Sequence, residues 1–362
     1  MTAKAPTIYD VAALAGVGRT TVSRVLNGEG RVAEATKARV LDAIHALRYK
    51  VNAQARLLAG GRVPSLMLVY PANDEVGPVT WYNLLIESGA QRGCARAGLQ
   101  LQMTQVFPDS LKKHDRILEP VIQHACDGVI LAPPFSDDAE LIGLLKARNF
   151  PVASIAAGPA TRSLSAGVGI DDEAAGHDLT QYLLGLGHRR FAFIDGLRDH
   201  ISAAQRFEGF RRALTNAGLG EVDYCAFRGT LTFSTGADHM RALIDSGFPA
   251  TAVICANDDM AAGALYHAHE REVRVPGDIS VVGFDDAPFA QMVWPPLTTI
   301  HQPVFAMAQR AVEIILQQIR GQFRGQSQAY EMAPHRLVTR HSATSPASGG
   351  NTDLTHVQAE LR

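Results

Sequence analysis

From Ser65 onward the chain repeats one unit: a short apolar run followed by an amphipathic stretch long enough to form a helix. The runs are Ser65 to Tyr70, Leu99 to Val106, Gly128 to Pro133, Val152 to Ala157, Gly167 to Ile170, Arg190 to Asp195, Tyr224 to Arg228, Ala252 to Asn257 and Ile279 to Asp285. Helical stretches near 202–217, 234–247 and 258–271 lie between the later runs. Strands alternating with helices in this way form parallel βα units. Some ten strands over about 275 residues predict an α/β body of two doubly wound, parallel-sheet lobes. In such sheets ligands bind beyond the carboxyl ends of the strands, so the polar residues closing each run are the candidates for a site.

The first 62 residues follow a different rule. Residues 7–62 carry helical periodicity and no strand pattern, and Gly60-Gly61-Arg62 before Pro64 marks a boundary. Thr7 can cap a helix whose apolar face is Ile8, Val11, Ala12 and Ala15, with Asp10 suited to the positive helix end. A tight turn at Ala15-Gly16-Val17 leads to a second helix from Arg19 to Leu26, stopped by Asn27-Gly28. Val22, Val25 and Leu26 face inward, and a third helix from Ala33 to Leu47 adds Val40, Ile44 and Leu47 to a small core.

That arrangement leaves Arg19, Thr20, Thr21, Ser23 and Arg24 on the outer face, with no acidic residue before Glu29. Arginine can grip guanine through a bidentate fork and hydroxyls can reach phosphates, so this face suits DNA. On pattern alone, a solvated helix pair with a chance basic face stands beside that reading. Charge separates the two regions: residues 1–62 hold ten Lys or Arg against four Asp or Glu, whereas the rest holds 24 against 32. A basic head on an acidic body fits a chain in which only the head meets phosphate.

Composition narrows the classes further. No run approaches the roughly 18 apolar residues of a membrane span, and Met1 to Tyr9 lacks the apolar core of an export signal, so a cytoplasmic location is expected. The four cysteines, Cys94, Cys126, Cys225 and Cys255, have no metal-binding spacing and read as buried thiols. No nucleophile elbow, phosphate loop, zinc spacing or nicotinamide fingerprint occurs in the right context, so neither an enzymatic activity nor a cofactor is expected. The tail 342–362 is rich in polar residues and reads as disordered.

Thr7 to Val17, Thr21 to Asn27 and Tyr49 to Gly60 together resemble the lactose-repressor (LacI) family. Later segments continue the resemblance to about residue 341: Leu186 to Arg190, Arg206 to Phe210, Asn257-Asp258, Ser280 to Asp286 and Pro296 to Ile300. It implies a helix-turn-helix domain at 1–51, a hinge helix and linker at 52–63, and a periplasmic-binding-protein-like body at 64–341. Lobe 1 would comprise about 64–186 and 301–325, and lobe 2 about 187–300 and 326–341. The implied protein is a homodimeric, nucleoid-associated repressor of sugar-utilisation genes, bound to pseudo-palindromic operator DNA and controlled by a small sugar or sugar derivative. Without the basic head, the same body would read as a sugar-binding transport protein.

Carried over position by position, the resemblance implies that Arg19, Thr20 and Arg24 read base edges. Thr7, Tyr9, Thr21, Ser23, Asn27, Arg31 and Asn52 would touch or position the backbone, and Leu58 would wedge between base pairs from the minor groove. Two positions depart from the family pattern: Gly18 replaces the usual serine cap of the second helix, and Val51 replaces the proline before Asn52. A tetramer is not expected, because Leu354, Val357 and Leu361 span barely one heptad.

For the effector, the resemblance points to Asp285 as an acceptor of ligand hydroxyls, with Asp286 read as a helix cap. Arg206 either donates into the cleft or pairs with Glu208 or Asp172. Asn257 and Asp258 divide capping and ligand contact between them, with Asn257 the ligand candidate. Asp171 braces the cleft while Asp172 fits a cap. Trp81 and Tyr82 open the body's first helix, where Trp81 either stacks on a sugar ring or packs in a subunit interface. Ser202 and His200 are weaker candidates, and Leu231 takes a place where relatives often carry an aromatic.

Overall fold

The computed structural model describes residues 6–27, 32–47, 63–72, 80–197, 199–321 and 330–347. The chain divides into two units, Met1–Val63 and Pro64–Arg362. Arg31, Val51, Asn52 and Leu58 lie outside the described residues, as do the side chain of Asn27 and the loop 73–79.

In the head, helices α1 (Ile8–Ala15), α2 (Arg19–Asn27) and α3 (Glu34–Ala46) enclose Val11, Ala12, Ala15, Val22, Val40 and Ala43. The Thr7 backbone N–H donates to Asp10 Oδ2 at 2.7 Å and the Asp10 N–H donates to Thr7 Oγ1 at 3.4 Å, a reciprocal capping box. Gly16 closes α1 in the left-handed conformation at φ 64°, where a side chain would be strained. At the start of α2 the Gly18 carbonyl accepts from Thr21 N and Val22 N at 2.9 and 3.2 Å.

The body contains two six-stranded sheets. The first is built from β1 (Ser65–Pro71), β2 (Gln100–Val106), β3 (Gly128–Leu131), β4 (Val152–Ile155), β5 (Ala166–Gly169) and β11 (Tyr330–Met332), in the order β11-β5-β4-β3-β1-β2. The second holds β6 (Phe191–Asp195), β7 (Tyr224–Arg228), β8 (Ala252–Cys255), β9 (Ser280–Asp285), β10 (Thr298–His301) and β12 (Arg336–Val338), in the order β12-β10-β9-β8-β6-β7. All pairings are parallel except β10 with β12.

β1 shows why its run is apolar throughout. Leu66, Leu68 and Tyr70 join one core with Ile86 and Ala90 of helix α4 (Trp81–Ala97), while Met67 and Val69 join another. That second core includes Ile117 and Val121 of α5 (Lys113–Gln123) and Leu141 and Leu145 of α6 (Ala139–Ala147). A strand covered on both faces must be apolar at every position.

Three crossings join the lobes, and two fall elsewhere than expected. Helix α7 (Asp172–Gly185) packs against α8 (Ile201–Asn216) of lobe 2, so the chain crosses at 170–171 rather than near 186. The second crossing, between β10 and α11 (Val304–Ile319), lies at 302–303, close to the expected 300. The third lies between β11 and β12, at 333–335 instead of 325, because these three-residue strands are too short to stand out as apolar runs.

The expected disordered tail is also corrected at its start. Ser342 is fully buried, its Oγ donating to Val281 O, and Thr344 O meets His188 Nε2 at 2.9 Å. His188 Nδ1 pairs with Thr251 Oγ1 at 2.8 Å, so this buried imidazole ties residues 342–347 to lobe 2. Cys94, Cys126 and Cys255 are buried as expected, whereas Cys225 on the edge strand β7 is half-buried.

Helices α7 and α8 approach through glycines. A Cβ on Gly176 would lie 2.2 Å from Arg206 O, and one on Gly209 would lie 2.0 Å from Glu173 O. Gly209→Ala is therefore expected to cost about 1–3 kcal/mol of stability through overpacking, measurable by urea unfolding. An unchanged unfolding midpoint would show that the helices separate without penalty.

Candidate functional site

The head presents one face of α2. Arg19, Thr20 and Arg24 are exposed, Thr21 and Ser23 are half-buried, and Val22 beneath them is fully buried. Arg19 Nη1 donates to Tyr9 Oη at 3.3 Å, and the guanidinium carbon lies 5.9 Å from that ring's centroid. This contact aligns Arg19 with Tyr9 while both remain solvent-accessible. Asp10, the nearest acid in sequence, is engaged by Thr7 in the capping box. A helix face with two exposed arginines and the hydroxyls of Thr20, Thr21 and Ser23 can contact both base edges and phosphates.

The second constellation lies where both sheets end. In each sheet the strand order reverses beside the first strand, at β1/β3 and at β6/β8, and sites in doubly wound folds form beyond such points. Tyr82 follows β1, Asp137 follows β3, Arg162 follows β4 and Asp172 follows β5. From lobe 2, His200, Ser202 and Arg206 follow β6, Asp259 follows β8, Asp285 ends β9 and Gln302 follows β10.

Arg206 is the hub. Only 5% exposed, it donates from Nε to Asp172 Oδ1 at 2.9 Å and from Nη1 to Ala256 O at 2.6 Å, with Asp285 Oδ1 3.8 Å from Nη1. Its guanidinium stacks 3.8 Å above the centroid of Phe284. Gln302 Nε2 donates to Asp285 Oδ1. Asp285 sits at φ 122°, a strained conformation for a residue with a side chain. The lobes meet here: Ser202 Oγ donates to Ala156 O at 3.4 Å, and Trp81 packs 6.0 Å from Phe289.

Burial dominates the electrostatics. It pushes Asp285 up to about 7 against the pull of Arg206 and Gln302, and Asp259 up to about 6 against a hydrogen bond from the Trp81 backbone. Burial also raises Asp172 and Asp137, overcoming Arg206 at the first and Gly158 and Thr161 at the second. The same desolvation, followed by the charge of Arg206, drives His200 down to about 4 and keeps it neutral. Burial and the nearby Asp172 raise Tyr82, leaving its phenol a hydrogen-bond donor. Burial opposes ionisation of Arg206, but Asp172 and Asp285 hold it charged.

Several expected roles change. Asp171 and Asp172 exchange places: exposed Asp171 caps α7 by accepting from Ala174 N at 2.9 Å, and buried Asp172 holds Arg206. Of the two partners expected for Arg206, Asp172 is the one observed, while Glu208 pairs with Arg211 at 3.2 Å. Asn257 is the cap of α10 (Asp258–Glu270), with Oδ1 accepting from Met260 N and Nδ2 donating to Leu231 O, so both polar ends have protein partners. Asp258 lies beneath, bonded to Thr299 Oγ1 and Ala287 N.

Asp286 caps nothing; it pairs with Arg340 at 2.6 Å and His301 at 2.9 Å, because the next helical turn begins after Ala287. Asp137, Arg162, Asp259 and Gln302 were not singled out from sequence. The rule that located Asp285, a polar residue beyond an apolar run, would have reached Asp137 and Asp259.

Residues 7–52 match the family described as bacterial regulatory proteins, lacI family, and residues 180–343 match a periplasmic binding protein-like domain. The ribose operon repressor of Escherichia coli (strain K12) is 33% identical over 314 residues, covering 86% of this chain and 93% of its own. The structure of the transcriptional regulator CelR–cellobiose complex is 30% identical with a TM-score of 0.69, over 93% of this chain and 100% of that one. The lac repressor dimer bound to operator and the anti-inducer ONPF is 27% identical with a TM-score of 0.70, over 94% of this chain and 100% of that one.

Proposed function

The chain belongs to the lacI family of bacterial regulatory proteins, and we propose that it is a homodimeric repressor of sugar-utilisation genes whose operator affinity is set by a carbohydrate-like effector in the cleft between its lobes. The observation that carries this reading is one chain joining an acid-free arginine and hydroxyl face on α2 to a buried carboxylate–guanidinium cluster at the converging ends of two sheets. The cellobiose bound by the solved relative and the operator bound by the lac repressor dimer support it. Among the described residues no helix is long and apolar enough to cross a membrane, and the reading places the protein in the cytoplasm, at the nucleoid. It assigns the chain no enzymatic reaction.

In this reading Arg19, Thr20 and Arg24 contact base edges, and Thr7, Tyr9, Thr21 and Ser23 contact the backbone together with Asn27, Arg31 and Asn52; Leu58 is the minor-groove wedge. In the cleft, Asp285, Arg206, Tyr82, Ser202 and Trp81 contact the effector. Asp171 and Asn257 serve the site as caps of α7 and α10. Closure of the lobes about the crossings at 170–171, 302–303 and 333–335 transmits occupancy toward the head.

Selection of bound duplexes from a randomised pool tests the DNA half: enrichment of a pseudo-palindrome is expected, and its absence would sink the operator reading. Arg19→Ala is expected to weaken binding to the selected duplex about 10- to 100-fold, the loss of roughly 1–3 kcal/mol for a bidentate base contact. Fluorescence anisotropy measures this, and unchanged affinity would remove Arg19 from the interface.

A further inference from the structure

We propose that the cleft takes an uncharged, hydroxyl-rich sugar and rejects its phosphorylated and carboxylated derivatives, with Gln302, Asp259 and Asp137 as acceptors for the ligand's hydroxyls. This rests on the reading of the cleft as the effector site.

The argument counts charges and hydrogen-bonding groups. Asp137, Asp172 and Asp285 stand within the fields of the Arg162 and Arg206 guanidiniums, and Asp259 adds its charge beside Asp285. Both arginines are already engaged by groups of the protein. Arg206 already serves Asp172 and Asp285. Arg162 donates to Ala157 O at 2.9 Å and Ile170 O at 3.2 Å, with its guanidinium carbon 5.5 Å from the centroid of the Tyr330 ring. At the rim Asp195 takes up the charge of Arg228, 3.5 Å away. His200 is held neutral by burial and the charge of Arg206. A phosphate or carboxylate would enter a region with excess negative charge and no uncommitted cation among the described groups.

The acceptors point to what does fit. Gln302 is 2% exposed; its Nε2 is spent on Asp285, and its Oε1 is buried with no hydrogen-bond partner among the described residues. Asp259 Oδ2 and Asp137 Oδ2 are likewise buried and without a hydrogen-bond partner among the described residues. Their positions bracket the cluster: Asp259 raises the pKa of Asp285 through its charge, and Asp172 does the same to Asp137. A buried acceptor without a donor is unfavourable, so the cleft gains most from a ligand bringing several O–H groups. Such a ligand also stabilises the carboxylates that burial disfavours, whereas an anion adds to their repulsion.

The test titrates the full-length protein with D-ribose, D-glucose and cellobiose, and with ribose 5-phosphate, glucose 6-phosphate and glucuronate, by scanning fluorimetry and calorimetry. At least one uncharged sugar is expected to bind, with its anionic counterpart about 100-fold weaker, as like charges brought together imply. Asp259→Asn is expected to narrow that ratio about 10-fold by removing one of the repelling charges. An anionic sugar that binds more tightly than its uncharged counterpart, or a ratio untouched by Asp259→Asn, overturns the charge assignment while leaving the cleft an effector site. Failure of every sugar to bind overturns the effector reading as well.

Discussion

Arg206→Ala is expected to destabilise the body by about 3–5 kcal/mol, the usual loss when one partner of a buried ion pair is removed. At roughly 2–4 °C per kcal/mol for a domain of this size, the melting temperature should fall by about 6–20 °C. Three contacts vanish together: the 2.9 Å bond to Asp172, the 2.6 Å bond to Ala256 O and the stacking on Phe284. Asp172 and Asp285, 2% and 4% exposed, then lose their ion-pair partner. The triple change Arg206→Ala, Asp172→Asn, Asp285→Asn should recover much of the loss, because most of the penalty belongs to the stranded carboxylates. Scanning calorimetry decides it: an Arg206→Ala protein melting within a degree or two of the parent would show that the cluster contributes nothing to stability.

The second large effect is in the pH dependence, read as the stability of Asp285→Asn minus that of the parent protein. Burial raises Asp285 to about 7 in the fold, against roughly 3.9 for an unfolded aspartate. The folded state thus holds this proton more tightly, and the resulting stabilisation is complete below about pH 4 and lost as pH rises through about 7. Asparagine carries no such dependence. The variant should therefore gain on the parent between pH 5 and pH 8, by on the order of 2–4 kcal/mol.

His188 and His200, both pushed down by burial, act in the opposite direction. Their stabilisation is complete above about 6.5 and lost as pH falls through their lower folded values. Being present in both proteins, they cancel in the difference. A difference that stays flat from pH 5 to 8 would mean that Asp285 is ionised throughout.

Asp285→Asn is also expected to lose the effector response while retaining operator affinity. The carboxylate belongs to the body, and the residues proposed to read bases belong to α2. Anisotropy measured with and without a bound sugar checks both halves, and an unchanged response would remove Asp285 from the site.

The sequence by itself determined the three described head helices, the core of Val11, Val22 and Val40, and nine of the twelve strands among the described residues. Periodicity reports these directly, because each pattern follows from which face an element must bury. It also located the cleft in outline, since a polar residue beyond an apolar run is where a parallel sheet exposes its strand ends. It could not separate Asp171 from Asp172 or assign Asn257: neighbouring polar residues at a helix start are equivalent in pattern. Only the turn of the backbone decides that Asp171 meets Ala174 N while Asp172 points to Arg206.

The crossings at 170–171 and 333–335 escaped for a related reason. Which lobe a helix covers is a matter of packing partners distant in sequence, such as Gly176 against Arg206 and Gly209 against Glu173. The balance of four carboxylates against two committed guanidiniums is likewise invisible in a chain whose net charge is −2. Tertiary structure gathers those charges from both lobes and removes the water that would have screened them. Desolvation, which no local pattern records, raises the pKa of these aspartates.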